Sequence, residues 1–147
     1  MSYPAKEVAN YIISYCATQG KPINNLKLQT MLYFIWVDFW KKTRRGLFSD
    51  DICAWRLGPV VPSVYYAYCA YGALPINLTY ETIISEEDGL IIDEFCKELI
   101  DRSVSNLVNE THIEGTPWHR VYANGTGNRA KIPFYMIKTS ADGGNCL

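Results

Sequence analysis

The sequence predicts a mainly helical, compact domain built around one central hydrophobic helix, with a small two-stranded β element. Three observations lead to that fold class. Apolar residues recur at three- and four-residue spacing through most of the chain, the period of a helix face. One segment, Leu26 to Trp40, is apolar almost all round, as a helix in the middle of a fold must be. Only the stretches around Ile52 and from Ile76 to Ile84 alternate in the manner of strands.

Taken in order, Ala5, Val8, Ala9, Ile12, Tyr15 and Cys16 mark the buried face of a first helix from about Ala5 to Thr18, closed by Gly20 and Pro22. Asn24 or Asn25 caps the second helix. Lys27, Thr30, Asp38 and Lys41 leave it only a narrow polar stripe, which ends in the basic run Lys41-Lys42-Thr43-Arg44-Arg45. Such a run complements the C-terminal end of the helix dipole or contacts an anionic partner. Ile52, Ala54 and Arg56 read as a short strand, with Gly58-Pro59 as a turn. Pro62 opens a tyrosine-rich helix to Ala70, closed by Gly72. Ile76 to Ile84 reads as a second strand pairing with the first, or as an extended loop. Ser85-Glu86-Glu87-Asp88 caps the longest helix, whose apolar period runs from Ile91 to Val108. Thr111 to Trp118 leads into a short helix ending near Tyr122, Asn124 to Asn128 is a loop, and Ile132 to Thr139 forms a last short helix. One domain is expected over residues 1–141, followed by a flexible tail over 142–147.

Composition narrows the function. Nearly half of the 147 residues are hydrophobic and the net charge is −1, which excludes a disordered chain. The balance also argues against nucleic acid as the partner, since binding through phosphates needs a basic excess. The N-terminus has no apolar signal-like stretch and no segment has the roughly 20 apolar residues that span a bilayer, so no membrane association and a cytoplasmic location are expected. Cys16, Cys53, Cys69, Cys96 and Cys146 are scattered and form no CxxC, so four read as buried thiols and one as part of the tail. No metal or cofactor is expected.

No catalytic motif is present: there is no GxSxG, HExxH, Walker or GxGxxG pattern. His112 and His119 flank Pro117-Trp118, and His112 reads as a structural residue at a helix end. An enzyme using His112 with Glu114 or a thiol is the opposing reading. The aromatic content is the stronger signal. Four Trp and eleven Tyr exceed the needs of one small core, and such side chains concentrate in protein interfaces. Tyr65, Tyr66, Arg44 and Arg45 are the candidate partner-binding residues.

Several blocks occur in a fixed order. They are Val8-Ala9-Asn10-Tyr11-Ile12-Ile13, Leu26-Lys27-Leu28-Gln29 with Met31-Leu32-Tyr33-Phe34, Ala54-Trp55 before Gly58-Pro59-Val60-Val61-Pro62-Ser63-Val64-Tyr65, and Thr111-His112 before Pro117-Trp118. In that order they resemble the Panacea domain, the SocA-like antitoxin and phage-associated protein family, over about Pro4 to Phe134. The resemblance implies a mainly helical fold with a small β element. It implies a non-enzymatic antitoxin that binds a cognate toxin directly or, as the alternative, a phage or mobile-element protein that binds a host protease or defence factor. It marks Leu28, Gln29, Tyr33, Trp55, Gly58, Pro59, His112, Pro117 and Trp118 as family positions. Of these, Trp55, Gly58 and Pro59 are expected to fix a chain reversal against the second helix, and His112 and Trp118 to lock the end of the long helix to the core.

Overall fold

The computed structural model describes residues 2–143. The expected helices form, with one split. They are α1 (Ala5–Thr18), α2 (Asn25–Thr43), α3 (Pro62–Tyr68), α4 (Glu86–Leu99), α5 (Val104–Thr111), α6 (Pro117–Tyr122) and α7 (Phe134–Ala141). Three short strands, β1 (Cys53–Trp55), β2 (Gly58–Val60) and β3 (Ala130–Lys131), make an antiparallel sheet in the order β2-β1-β3.

α2 lies at the centre and packs against α1, α3, α4, α5, α7 and β2. Its N-cap is Asn24, whose side chain accepts from the Lys27 amide at 2.9 Å. Such a cap contributes about 1 kcal/mol. Burying each of Leu28, Met31, Leu32, Ile35, Trp36 and Phe39 is worth about 1.5–3 kcal/mol, so packing and not the cap holds this helix in place. The polar stripe is narrower than the pattern suggests. Thr30 is buried and turns its hydroxyl back to the Lys27 carbonyl at 2.8 Å. Half-buried Phe34 and Val37 share the outer face with Asp38, whose carboxyl is pushed up mainly by burial.

Two buried amides join α2 to the chain that follows the sheet. The Val61 amide donates to Gln29 Oε1 at 2.9 Å, Gln29 Nε2 donates to Asn25 Oδ1 at 3.0 Å, and Asn25 Nδ2 donates to the Tyr65 carbonyl at 3.1 Å. Both side chains are almost fully buried. They supply hydrogen bonds at the β2–α3 corner, where Val61 has no side chain with which to cap α3.

Four expectations need correction. The β element has three strands, and β1 pairs with β2 (Cys53 opposite Val60, Trp55 opposite Gly58) and with β3, not with residues 76–84. A two-residue turn at Arg56-Leu57 returns the chain at once and leaves residues 76–84 no vacancy beside β1. That segment is the extended loop given as the alternative reading, held by the Ile76 amide on the Ile23 carbonyl and the Tyr80 amide on Ser14 Oγ. Gly58-Pro59 is therefore strand and not turn. Proline is tolerated there because β2 is an edge strand, and Gly58 has φ +142°, where its absent Cβ would meet Thr111 Oγ1 at 3.3 Å.

The long helix is two helices, so α2 is the longest among the described residues. Ser103 caps α5 by accepting from the Asn106 amide, and Lys27 Nζ takes the Ile100 carbonyl at 2.5 Å. Both halves face one core, so the apolar period runs through the break unaltered. Cys69 is exposed, whereas Cys16, Cys53 and Cys96 are buried. Cys146 and residues 144–147 of the expected tail lie outside the described residues. Asp142 follows α7 and pairs with Arg44 at 2.6 Å.

Gln29→Leu should lower stability by about 1–3 kcal/mol, because it strands the Val61 amide and removes the Asn25 partner. Urea unfolding of the two chains checks this, and an unchanged midpoint would show that the amide pair is dispensable.

Candidate functional site

The hairpin β1–β2 and the start of α3 build an aromatic cluster. Trp55 ends β1, and Tyr65 and Tyr66 follow each other on α3. The Trp55 ring meets Tyr65 edge-on at 4.9 Å between centroids and is tilted against Tyr66 at 5.9 Å. Arg129 closes the cluster from the far end of the chain. Its guanidinium lies over the Trp55 ring at 4.2 Å, and its Nη1 donates to the Tyr66 hydroxyl at 3.2 Å.

Arg129 is held in a left-handed conformation, φ 70°, by its amide's hydrogen bond to the Ala54 carbonyl at 2.6 Å. That conformation costs a non-glycine residue about 1–2 kcal/mol. A cation over an aromatic face contributes about 0.5–2 kcal/mol. The two are of one size, so the contact with Trp55 can compensate the strain. Gly127 makes the approach possible, because a Cβ there would lie 1.8 Å from the Val121 carbonyl oxygen.

Beside the cluster is a cleft of about 340 Å³. Leu26, Trp55, Val60 and Tyr65 form its apolar walls, the Gln29 amide lies within it, and Arg56, Leu57, Asn128 and Arg129 complete the lining. Leu57 and Tyr66, 51% and 57% exposed, present large apolar surface to solvent here. The volume lies in the range of ligand-sized sites, and the lining is mostly apolar with a few polar groups.

The structure divides the four candidate residues. Tyr65 and Tyr66 belong to this cluster at the N-terminal end of α2, where Asn25 bonds Tyr65. Arg44 and Arg45 lie past its C-terminal end, about 28 Å away for a helix of 19 residues. They line a second hollow of about 500 Å³ with Trp36, Phe134 and Lys138. Arg44 pairs with Asp142, and Arg45 pairs with Asp88 at 2.5 Å. The Asp88 side chain is 6% exposed and also accepts from the Tyr3 hydroxyl at 2.5 Å. The Arg45 hydrogen bond, more than any other cause, holds the Asp88 carboxyl below the usual carboxylate range. The pair ties α2 to α4.

The residues expected from the resemblance as family positions lie mostly beneath the cleft. Leu28 and Tyr33 are core residues of α2. Pro117 occupies the first turn of α6, with Thr116 as its cap. Trp118 Nε1 donates to the Trp55 carbonyl at 2.7 Å. The His112 ring lies flat on Trp118, 3.9 Å between centroids and 2° between planes, and Trp118 stacks in turn on Tyr122. His112 thus locks the end of α5 to α6, and its Nε2 is enclosed without a hydrogen-bond partner. Burial pushes the Cys16 thiol up to about 11 and the Cys96 thiol well above its ordinary value, so neither is a ready nucleophile. Among the described residues no group of three or more His, Cys, Asp or Glu side chains is placed to hold a metal ion, and no helix is long and apolar enough to cross a membrane.

Sequence reasoning singled out the tyrosines through their number but did not place Leu26, Arg56, Leu57, Asn128 and Arg129 beside them. Reading Gly58-Pro59 as strand would have put Arg56 and Leu57 at a hairpin tip. Nothing local points from Arg129 to Trp55, 74 positions earlier.

These features define a small, mainly helical domain that wraps one buried helix and carries an aromatic cleft at a short hairpin. The chain matches the family model of the antitoxin SocA-like Panacea domain over residues 28–119. It is 35% identical over 139 residues to Antitoxin SocA of Caulobacter vibrioides (strain NA1000 / CB15N), covering 86% of this chain and 73% of that protein. It belongs to the SocA-like Panacea-domain family. No solved structure matches it.

Two outcomes follow from the geometry. Gly127→Ala should destabilise the chain by at least about 2 kcal/mol, read by thermal or urea unfolding, because a backbone carbonyl occupies the position of the new methyl. The ionised Asp88 adds stability above about pH 4, which is lost as pH falls through its lowered folded-state value. The urea-midpoint gap between the parent chain and Asp88→Asn should therefore be wide at pH 6 and close towards pH 3. A gap independent of pH would refute the charged pair.

Proposed function

We propose that this protein is the antitoxin of a toxin–antitoxin pair and neutralises a cognate protein toxin by binding it directly, without catalysis. The observation that carries the reading is the cluster of half-buried Trp55 and Tyr65 with exposed Tyr66 and Leu57 beside the hairpin, in a chain of the SocA-like family. Trp, Tyr and Arg dominate interface hot spots, because they bury large rigid area and keep a polar tip for a hydrogen bond. A standard interface takes about 800 Å² from each partner, roughly a tenth of this chain's 7633 Å². A patch centred on the cleft can supply that area. The toxin is masked where it meets the patch, and the encounter takes place in the cytoplasm.

The test is co-expression with the small protein encoded beside this gene. The parent chain should restore growth and form a stable complex with that protein. Leu57→Asp should weaken the complex at least tenfold, about 1.4 kcal/mol or more, with the melting temperature unchanged, since the Leu57 side chain is exposed at the hairpin tip. Failure of the parent chain to rescue growth or to bind would overturn the antitoxin reading. A toxin level that falls only when a cellular protease is active would replace masking by delivery.

A further inference from the structure

The cleft carries information about the chemistry of what enters it. Its walls are apolar, and among the described residues Arg56 and Arg129 are the only charged ones lining it. Among the described residues neither guanidinium forms an ion pair, whereas Arg44, Arg45 and Arg102 are each matched to a carboxylate within the fold. The basic groups at the other end of α2 therefore have their charge partly answered, and those at the cleft do not.

Arg129 is also preorganised. Its backbone is fixed by the hydrogen bond to Ala54, and its guanidinium lies over the Trp55 ring, 4.2 Å from the centroid. A guanidinium has five N–H donors in one plane, and among the described residues the only hydrogen bond formed by this one is to Tyr66. A guanidinium placed over a ring, with most of its donors unused, can take a carboxylate through two parallel hydrogen bonds.

We infer that the cleft, read as above as the toxin-docking surface, receives an acidic segment of the partner: an apolar side chain between Trp55, Tyr65 and Leu26, and an adjoining Asp or Glu carboxylate on Arg129 and Arg56. A nucleic acid is the less suitable anion. Phosphate binding draws its strength from many neutralised charges, and here two guanidinium groups lie on a chain of net charge −1.

The probe is a random dodecapeptide library displayed on phage and panned on the intact chain. Enriched peptides should carry Asp or Glu beside an apolar or aromatic residue. One of them, synthesised with a fluorophore, should bind at least tenfold more weakly to R56E/R129E by anisotropy, and should weaken with rising salt. Arg129→Lys keeps the charge and loses the fork, so it should fall between. Arg56→Glu alone, a change in an exposed turn, should reproduce part of the loss with an unchanged urea midpoint, which guards against misfolding of the double variant.

Enrichment of peptides without an acidic excess would overturn the inference. So would an unchanged affinity in R56E/R129E, or tighter binding of a single-stranded oligonucleotide than of the peptide. If the neighbouring toxin is bound by the parent chain and equally by R56E/R129E, the acidic-segment inference falls and the antitoxin reading stands. If the parent chain does not bind the toxin, the antitoxin reading falls and the peptide panning still decides the chemistry of the cleft.

Discussion

The amide chain from Val61 through Gln29 and Asn25 to Tyr65 is the constraint on which the upper half of the molecule depends. It joins the central helix to the corner where the hairpin ends and α3 begins. Apolar packing would hold these elements near one another, but it is non-directional. Two buried amides leave few alternatives, because any shift strands a donor or an acceptor away from water. The hairpin, the tyrosine pair and the cleft take their positions from that corner.

A second set of directional contacts closes the lower half. Arg45, Asp88 and Tyr3 bring together the end of α2, the start of α4 and the N-terminal segment. Arg45 is half in water and Asp88 is nearly buried, so the pair has the geometry in which an ion pair specifies arrangement as well as adding stability. Trp36 donates to the Phe48 carbonyl and stacks on Phe134, which fixes the chain after α2 and the last helix against the same end. The central helix is pinned at both ends by polar contacts and along its length by burial.

These constraints bear on the proposed docking through the rigidity of the cleft. Trp55 is held from below by Trp118, laterally by Tyr65 and from above by Arg129. A side chain fixed before a partner arrives loses little rotamer freedom on binding, which is where much of the cost of association lies. The stack of His112, Trp118 and Tyr122 contributes indirectly, by holding the backbone of β1. His112 and Trp118 are thus supports of the hairpin more than part of its surface.

Most helix positions, the burial of α2, an asparagine cap at Asn24 or Asn25, the proline start of α3 and the surplus of tyrosine were legible in the amino-acid order. They depend on residues three to seven positions apart, where periodicity and backbone chemistry act directly. The resemblance in the LKLQ and GPVVP blocks pointed to the family for a related reason, since those residues build the α2–hairpin corner. The break after Leu99 was hidden because both helices face one core. The exposure of Cys69, the third strand, the Arg45–Asp88 pair and the seating of Arg129 on Trp55 were decided only by tertiary structure. Each joins segments tens of residues apart or depends on which face a neighbour covers, and local pattern holds no record of either.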